Sequence, residues 1–162
     1  MQRRGESYSK DGIILTPYMM GANAYVDIQH SDTTVSLTKL EFDCLKSGIS
    51  KVKDYYDFLK LLVIDDSDQI DIPFPSHIYA NNVLEISSDC FLFAVYHNNK
   101  LVVCLKKQST TCLLSDTLFR VEFHVVQHML DNLARNYASN WCFYCDQHKS
   151  LKRCIVCANE MF

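Results

Sequence analysis

The amino-acid sequence predicts an α+β protein: two copies of an antiparallel sheet followed by a long helix, the helices packed as a pseudo-dimer, and a small cysteine-bearing module at the C-terminal end. Three observations predict it. Two segments carry the same helical stripe of apolar residues. Short apolar runs of strand length precede each stripe. Two Cys-x-x-Cys pairs follow the second one.

The stripes set the frame. Phe42, Leu45, Ile49, Val52 and Tyr56 are spaced 3, 4, 3, 4, and Phe123, Val126, Leu130, Leu133 and Tyr137 repeat that spacing at an offset of 81 positions. The same offset superposes Glu41 on Glu122. Such spacing lines one face of a helix with apolar side chains, and regular 3-4 alternation suits packing along another helix. Helices are expected over residues 40–57 and 121–138. Thr38 and Glu41 form a candidate capping box for the first, and Ser115 or Asp116 can cap the second. Gly48 weakens the first helix by about 1 kcal/mol relative to Ala.

The segments before the helices also correspond. Ala24 to Gln29, a polar turn and Thr33 to Leu37 lead into the first; Leu101 to Gln108 and Ser109 to Leu114 lead into the second. Gln29 and Gln108 align at an offset of 79, so two extra residues are expected before the second helix. Ile13 to Tyr18 and Phe91 to Tyr96 supply a further strand each, and Val83 to Ser87 one more. Asn98-Asn99 suits a two-residue hairpin turn, because Asn tolerates positive φ. The chain divides into a first sheet-helix repeat at 1–62, an acidic connector at 63–82, a second repeat at 83–139 and the module at 140–162. Two readings of the likeness stand: a duplication, or two unrelated α+β units sharing a pattern.

Composition bounds the role. Apolar residues make up 48% of 162, enough for a core, while four glycines and three prolines argue against a disordered linker protein. The net charge of −3 excludes a surface that is uniformly a polyanion-binding field. Charge is uneven: residues 61–90 contain no Lys or Arg, whereas residues 91–162 carry eight basic against five acidic side chains. An anionic partner is expected at the C-terminal half. Met1-Gln2-Arg3-Arg4 is followed by no apolar stretch, so no signal peptide is read, and the longest apolar run is broken by His97-Asn98-Asn99-Lys100, so no membrane span is expected.

Residues 25 to 50 carry a family resemblance. Tyr25-Val-Asp-Ile28, a short turn, and Val35-Ser-Leu-Thr-Lys-Leu-Glu-Phe-Asp-Cys-Leu-Lys-Ser-Gly-Ile-Ser50 resemble the single-stranded-DNA-binding transcriptional coactivator family called positive cofactor four. The resemblance covers about 40 residues and reaches the second copy only through the repeat; Whirly and Pur-type folds share a similar strand-and-helix plan. It implies four strands and a long helix, dimerisation through helices, and binding of single-stranded or melted DNA during transcription. A tandem copy would supply both halves in one chain, a monomeric pseudo-dimer whose partner helix is always tethered; a homodimer is the other arrangement. Gln29 stands where the family has Arg, Phe42 where it has Trp, and the family's glycine-lysine turn is absent.

The module reads Cys142-Phe-Tyr-Cys145, eight residues, then Cys154-Ile-Val-Cys157. Zinc takes four soft ligands in a tetrahedron, and each Cys-x-x-Cys turn presents two thiolates on one side. Cys142, Cys145, Cys154 and Cys157 are therefore the candidate zinc ligands. His148 in place of one cysteine, or disulfide or redox pairs, are the alternatives. Four protein ligands leave no open position, so the zinc is expected to be structural, with binding supplying on the order of 10 kcal/mol of folding free energy. Trp141, Phe143 and Tyr144 are expected to seat the module. The remaining cysteines, Cys44, Cys90, Cys104 and Cys112, lie in apolar patterns and read as small core residues. Together these features suit an intracellular, reducing setting, with the nucleus or a host nucleus favoured, and the composition is compatible with a viral factor.

Lys100, Lys106, Lys107 and Arg120 give the second copy a basic edge, and Lys149, Lys152 and Arg153 stand between the two cysteine pairs. These seven are the candidate nucleic-acid contacts, with Tyr25 and Tyr96 as stacking rings; a solvated basic face is the competing reading. His124 and His128 lack the acidic partner of a zincin motif. Aspartates 65, 66, 68 and 71 lack the glycine turn of a calcium loop. There is no phosphate-cradling glycine loop and no nucleophile-elbow motif, and a non-enzymatic role is expected. That role is binding nucleic acid, single-stranded DNA favoured, or, alternatively, a protein partner in an interaction or assembly factor that keeps the fold alone.

Overall fold

The computed structural model describes residues 2–62, 83–97, 100–138, 141–142, 147–148, 152 and 154–158. The acidic connector 63–82 lies outside them. The first sheet begins with two short strands, β1 (Gln2–Arg4) and β2 (Tyr8–Lys10), which pair with opposite ends of β3 (Ile13–Met20) and form one broken edge. β4 (Asn23–His30) and β5 (Thr33–Thr38) continue the meander, so the sheet is four strands wide and antiparallel throughout. The turn between β2 and β3 is Asp11-Gly12 with φ of 46° and 89°, the pair of positive values that a tight hairpin turn requires and that Asp-Gly accepts readily.

After the helix α1 (Lys39–Leu62) comes a second antiparallel sheet, β6 (Leu84–Ser87), β7 (Cys90–His97), β8 (Lys100–Lys107) and β9 (Thr110–Leu114). His97 pairs with Lys100, the register that a two-residue connection through positions 98 and 99 demands. A 3-10 turn, Asp116–Arg120, then leads into α2 (Phe123–Ala138). Among the described residues no helix is long and apolar enough to cross a membrane.

Strand registers relate the sheets at an offset of 77 positions: Ile13 opposes His30 as Cys90 opposes Lys107, and His30 opposes Thr33 as Lys107 opposes Thr110. Ser31 and Gln108 hold the equivalent turn positions, with φ of 53° and 55°. The alignment of Gln29 with Gln108 is therefore corrected. Since the helices are offset by 81, the second half contains four extra residues rather than two, and the 3-10 turn accommodates them.

Thr38 and Glu41 form the expected capping box: the Thr38 N–H donates to Glu41 Oε1 at 2.9 Å and the Glu41 N–H to Thr38 Oγ1 at 3.1 Å. Ser115 instead caps the 3-10 turn, its hydroxyl accepting from the Thr117 N–H. The helices do not run along one another by their stripes. α1 lies mainly across β6 and β7 while still touching β4 and β5 of its own sheet, and α2 lies on β3 and β4. Each helix thus covers the opposite sheet. Leu15, Val26, Leu37, Phe42, Leu45, Leu92, Val103, Leu105, Val126 and Leu130 join one core that spans both halves, the area removed from water being the dominant stabilising term.

Gly48 on α1 faces Leu84 of β6. A Cβ there would stand 2.3 Å from Leu84 Cδ1. The helix-weakening glycine is thus the residue that lets α1 approach the second sheet.

Candidate functional site

At the N-terminal ends of the helices, positional equivalents meet. The Phe42 and Phe123 rings have centroids 6.1 Å apart, and the Lys46 ammonium donates to Gln127 Oε1 at 2.6 Å. Glu41 and Glu122, which precede the two phenylalanines, both reach the edge strand of the opposite sheet. Glu122 accepts from the Tyr8 hydroxyl at 3.3 Å, and its N–H donates to the same oxygen at 3.0 Å.

Glu41 is buried and more densely bonded. Its Oε1 accepts from Lys107 Nζ at 2.8 Å and its Oε2 from the Ser87 hydroxyl at 2.7 Å. The Lys107 ammonium also donates to the Ser36 carbonyl at 2.8 Å. Burial pushes the Glu41 carboxyl up, but the bonds from Lys107, the Thr38 N–H and Ser87 together outweigh it and hold the group below the usual carboxylate range. The node links β5 and α1 of the first half to β6 and β8 of the second.

The predicted basic edge is therefore dispersed. Lys107 is occupied in the node. Arg120, at the end of the 3-10 turn, lies 3.4 Å from Asp116 and donates to Thr117 Oγ1 at 3.0 Å. Lys100 is exposed at one end of β8 and Lys106 half-buried near the other, roughly 20 Å away along an extended strand. Val102 and Cys104 share the sheet face between them. Tyr96 is buried in the core, its hydroxyl donating to the Leu59 carbonyl at 3.0 Å, so it presents no ring for stacking. Tyr25 stacks on Tyr18 instead, with centroids 5.1 Å apart, and Arg4 covers the Tyr18 ring while pairing with Asp27 at 3.0 Å. His124 and His128 are exposed on α2.

The outer faces of the two sheets differ in chemistry. The first carries Thr16, Tyr18, Asp27 and Ser36; their equivalents on the second are Phe93, Val95, Cys104 and Leu113. Phe93, Val95 and Cys104 form a small buried cluster of their own. Burial pushes the Cys104 thiol up to about 11 and Cys90, in the main core, up to about 12. Cys112 is raised by the same cause. Cys44 differs from the core assignment made from sequence: it is exposed on α1.

In the C-terminal module, β10 (Trp141–Cys142) pairs with β11 (Gln147–His148), and a short helix, α3 (Ile155–Ala158), follows Cys154. The first cysteine pair thus starts on a hairpin strand, and the second straddles a helix start. Cys142 and Cys154 bring their Sγ atoms to 3.6 Å, too far for a disulfide bond. Zn–S bonds of ≈ 2.3 Å in a tetrahedron place two sulfurs roughly 3.8 Å apart, so this pair fits one edge of a four-cysteine site. Cys145 and the side chain of Cys157 lie outside the described residues, as do Lys149, Arg153 and the side chains of Trp141 and His148. Among the described residues no three metal-ligating side chains converge. Lys152 is exposed, at a positive φ of 48°.

One further feature carried no motif. Met19, Ala24, Tyr25, Lys39, Leu40 and Ala134 line an open cleft of about 390 Å³ between the end of the first sheet, the start of α1 and the last turns of α2. Leu40 is 78% exposed and neighbouring Met20 47%. In the sequence the only signal for it is an apolar residue that falls off the stripe of Phe42, Leu45, Ile49, Val52 and Tyr56.

No family model, no curated protein and no solved structure matches this chain.

Proposed function

We propose that the chain is a non-enzymatic interaction or assembly protein, built as an intramolecular pseudo-dimer and carrying a structural zinc in its C-terminal module. One observation carries the choice of a protein partner over nucleic acid: Lys107, in the middle of the basic edge, is bonded to Glu41 and the Ser36 carbonyl within the fold. A lysine held in this way does not release counterions from a phosphate backbone, the main source of nucleic-acid affinity. Leu40, 78% exposed on the cleft it shares with Met19 and Ala24, offers an apolar contact for a protein partner instead.

Contacts between residues 81 positions apart support the pseudo-dimer, because a two-fold relation brings equivalents together at its axis. The 3.6 Å sulfur separation supports zinc held by Cys142, Cys145, Cys154 and Cys157.

A second reading keeps single-stranded DNA as the ligand, bound through the module. Exposed Lys152, with Lys149 and Arg153 beside it in sequence, favours it. A salt titration with single-stranded DNA separates the two. Absence of binding at low salt supports the interaction protein; affinity that falls steeply with salt supports the DNA reading.

A further inference from the structure

The two halves share a plan but not the fate of one cleft, and the difference identifies what the open one takes. In the second half, Tyr96 and Leu101 stand where Met19 and Ala24 stand in the first, at the strand offset of 77. There the four-residue insertion closes the space. The 3-10 turn packs on β8 and α1; Leu118 is fully buried, and the Phe119 ring lies edge-on to Tyr56 at 5.3 Å. Tyr96, Leu101, Tyr56, Leu118 and Phe119 all belong to the main core. The first half has no insertion. Buried Met19, with Leu133 and Ala134, forms a small cluster of its own that meets the main core through Ala24, beside the cleft that Leu40 borders.

Charge follows the same correspondence. Arg120, which pairs with Asp116 at the start of the plugging turn, is the counterpart of Lys39 at the helix offset of 81. Lys39 is exposed on the rim of the open cleft, Arg135 is exposed next to Ala134, and among the described residues no acidic side chain lines the space. We propose that this cleft docks a short segment of a partner protein in which an acidic residue precedes two adjacent large apolar side chains, the chemistry of the chain's own Asp116-Thr117-Leu118-Phe119. The acidic group meets Lys39, and the apolar pair covers Met19, Ala24 and Leu40. A second copy cannot donate the same turn, because its Leu118 and Phe119 are already used within its own core. The inference rests on the reading of the chain as an interaction protein and names the surface and the ligand chemistry.

The probe is a synthetic peptide, Ser-Asp-Thr-Leu-Phe-Arg, titrated into the isotopically labelled full chain. Shift changes are expected at Ala24, Tyr25, Leu40 and Ala134. Leu40→Glu, at an exposed position and checked for unchanged thermal unfolding, weakens binding about tenfold or more. Lys39→Glu weakens it too, as does replacing the peptide's Asp by Ala. No binding at millimolar peptide, shifts confined elsewhere, or a Leu40→Glu chain that binds like wild type overturns the proposal. So does a concentration-dependent dimer, seen by sedimentation and abolished by Leu40→Glu, which would give the cleft to a second copy. Salt-sensitive binding of single-stranded DNA by the same samples would count against the interaction reading, while the cleft stands or falls on the peptide.

Discussion

Phe42 and Phe123 occupy the same position in their two helical stripes and rest against each other, ring centroids 6.1 Å apart. Lys46 and Gln127, also 81 positions apart, make the corresponding contact one turn further along. Phe42 is fully buried, so Phe42→Ala is expected to cost about 3–5 kcal/mol in urea unfolding. Phe123, half-buried, costs less. The double mutant should show a coupling of about 0.5–1.5 kcal/mol; strict additivity would mean the rings do not support each other.

Gly48 and Leu84 supply a second test. Helix propensity alone predicts that Gly48→Ala stabilises by about 1 kcal/mol. The approach of Leu84 Cδ1 to within 2.3 Å of the added Cβ predicts neutrality or loss. In a Leu84→Ala background the same substitution should become stabilising. A gain in the wild-type background would show that the half-buried Leu84 side chain turns aside at little cost.

Glu41 makes acid sensitivity legible. Its folded pKa lies below the ordinary value of 4.5, so its contribution is present above that value and is lost as pH falls through the lowered one. Glu41→Gln should flatten the acid limb of the stability curve below pH 4.5 and leave the neutral limb parallel to wild type. Lys107→Ala leaves the buried carboxylate without its cation and should cost about 1.5–3 kcal/mol. A Lys107→Ala protein of unchanged stability would remove the node, and with it the case against nucleic acid at this edge.

Thiol reactivity should sort the body cysteines. Burial holds Cys90, Cys104 and Cys112 in the protonated form, at about 12 and about 11 for the first two, and the thiolate is the reactive species. Iodoacetamide on native protein should modify Cys44 first and these three only on unfolding, read by peptide mass spectrometry. Labelling of Cys104 at the rate of Cys44 would show that the outer face of the second sheet is open.

The module should bind one zinc per chain, and Cys142→Ser should abolish it while leaving urea unfolding of the two-sheet body unchanged. Metal analysis that finds no zinc in protein purified without chelator would sink the metal reading.

Local periodicity made most of the fold readable. The apolar runs Ile13 to Tyr18 and Phe91 to Tyr96, the 3-4 stripes from Phe42 and Phe123, and the Thr38-Glu41 box are properties of neighbouring residues, and β3 to β9, the two long helices and the first cap lie where those patterns place them, whereas β1, β2 and the 3-10 turn carried no such pattern. The Asp11-Gly12 hairpin and the exposed Leu40 were not among those expectations, although an Asp-Gly pair and an apolar residue off the stripe stand in the sequence. Gln29 and Gln108 share a residue type but not a strand position, because register is defined by pairing and pairing makes Ser31 the equivalent of Gln108.

The sequence by itself determined the elements, the offset of 81 between the helices and the two cysteine pairs, since each is written in spacing along the chain. Only the tertiary structure decided that each helix crosses to the opposite sheet, that Gly48 clears Leu84, that Lys107 turns inward to Glu41 and that one cleft is plugged by Leu118 and Phe119 while its counterpart stays open. These are encounters between groups tens of residues apart. Burial and charge pairing select among them once the chain closes, and no local pattern announces which lysine will face water and which a buried carboxylate.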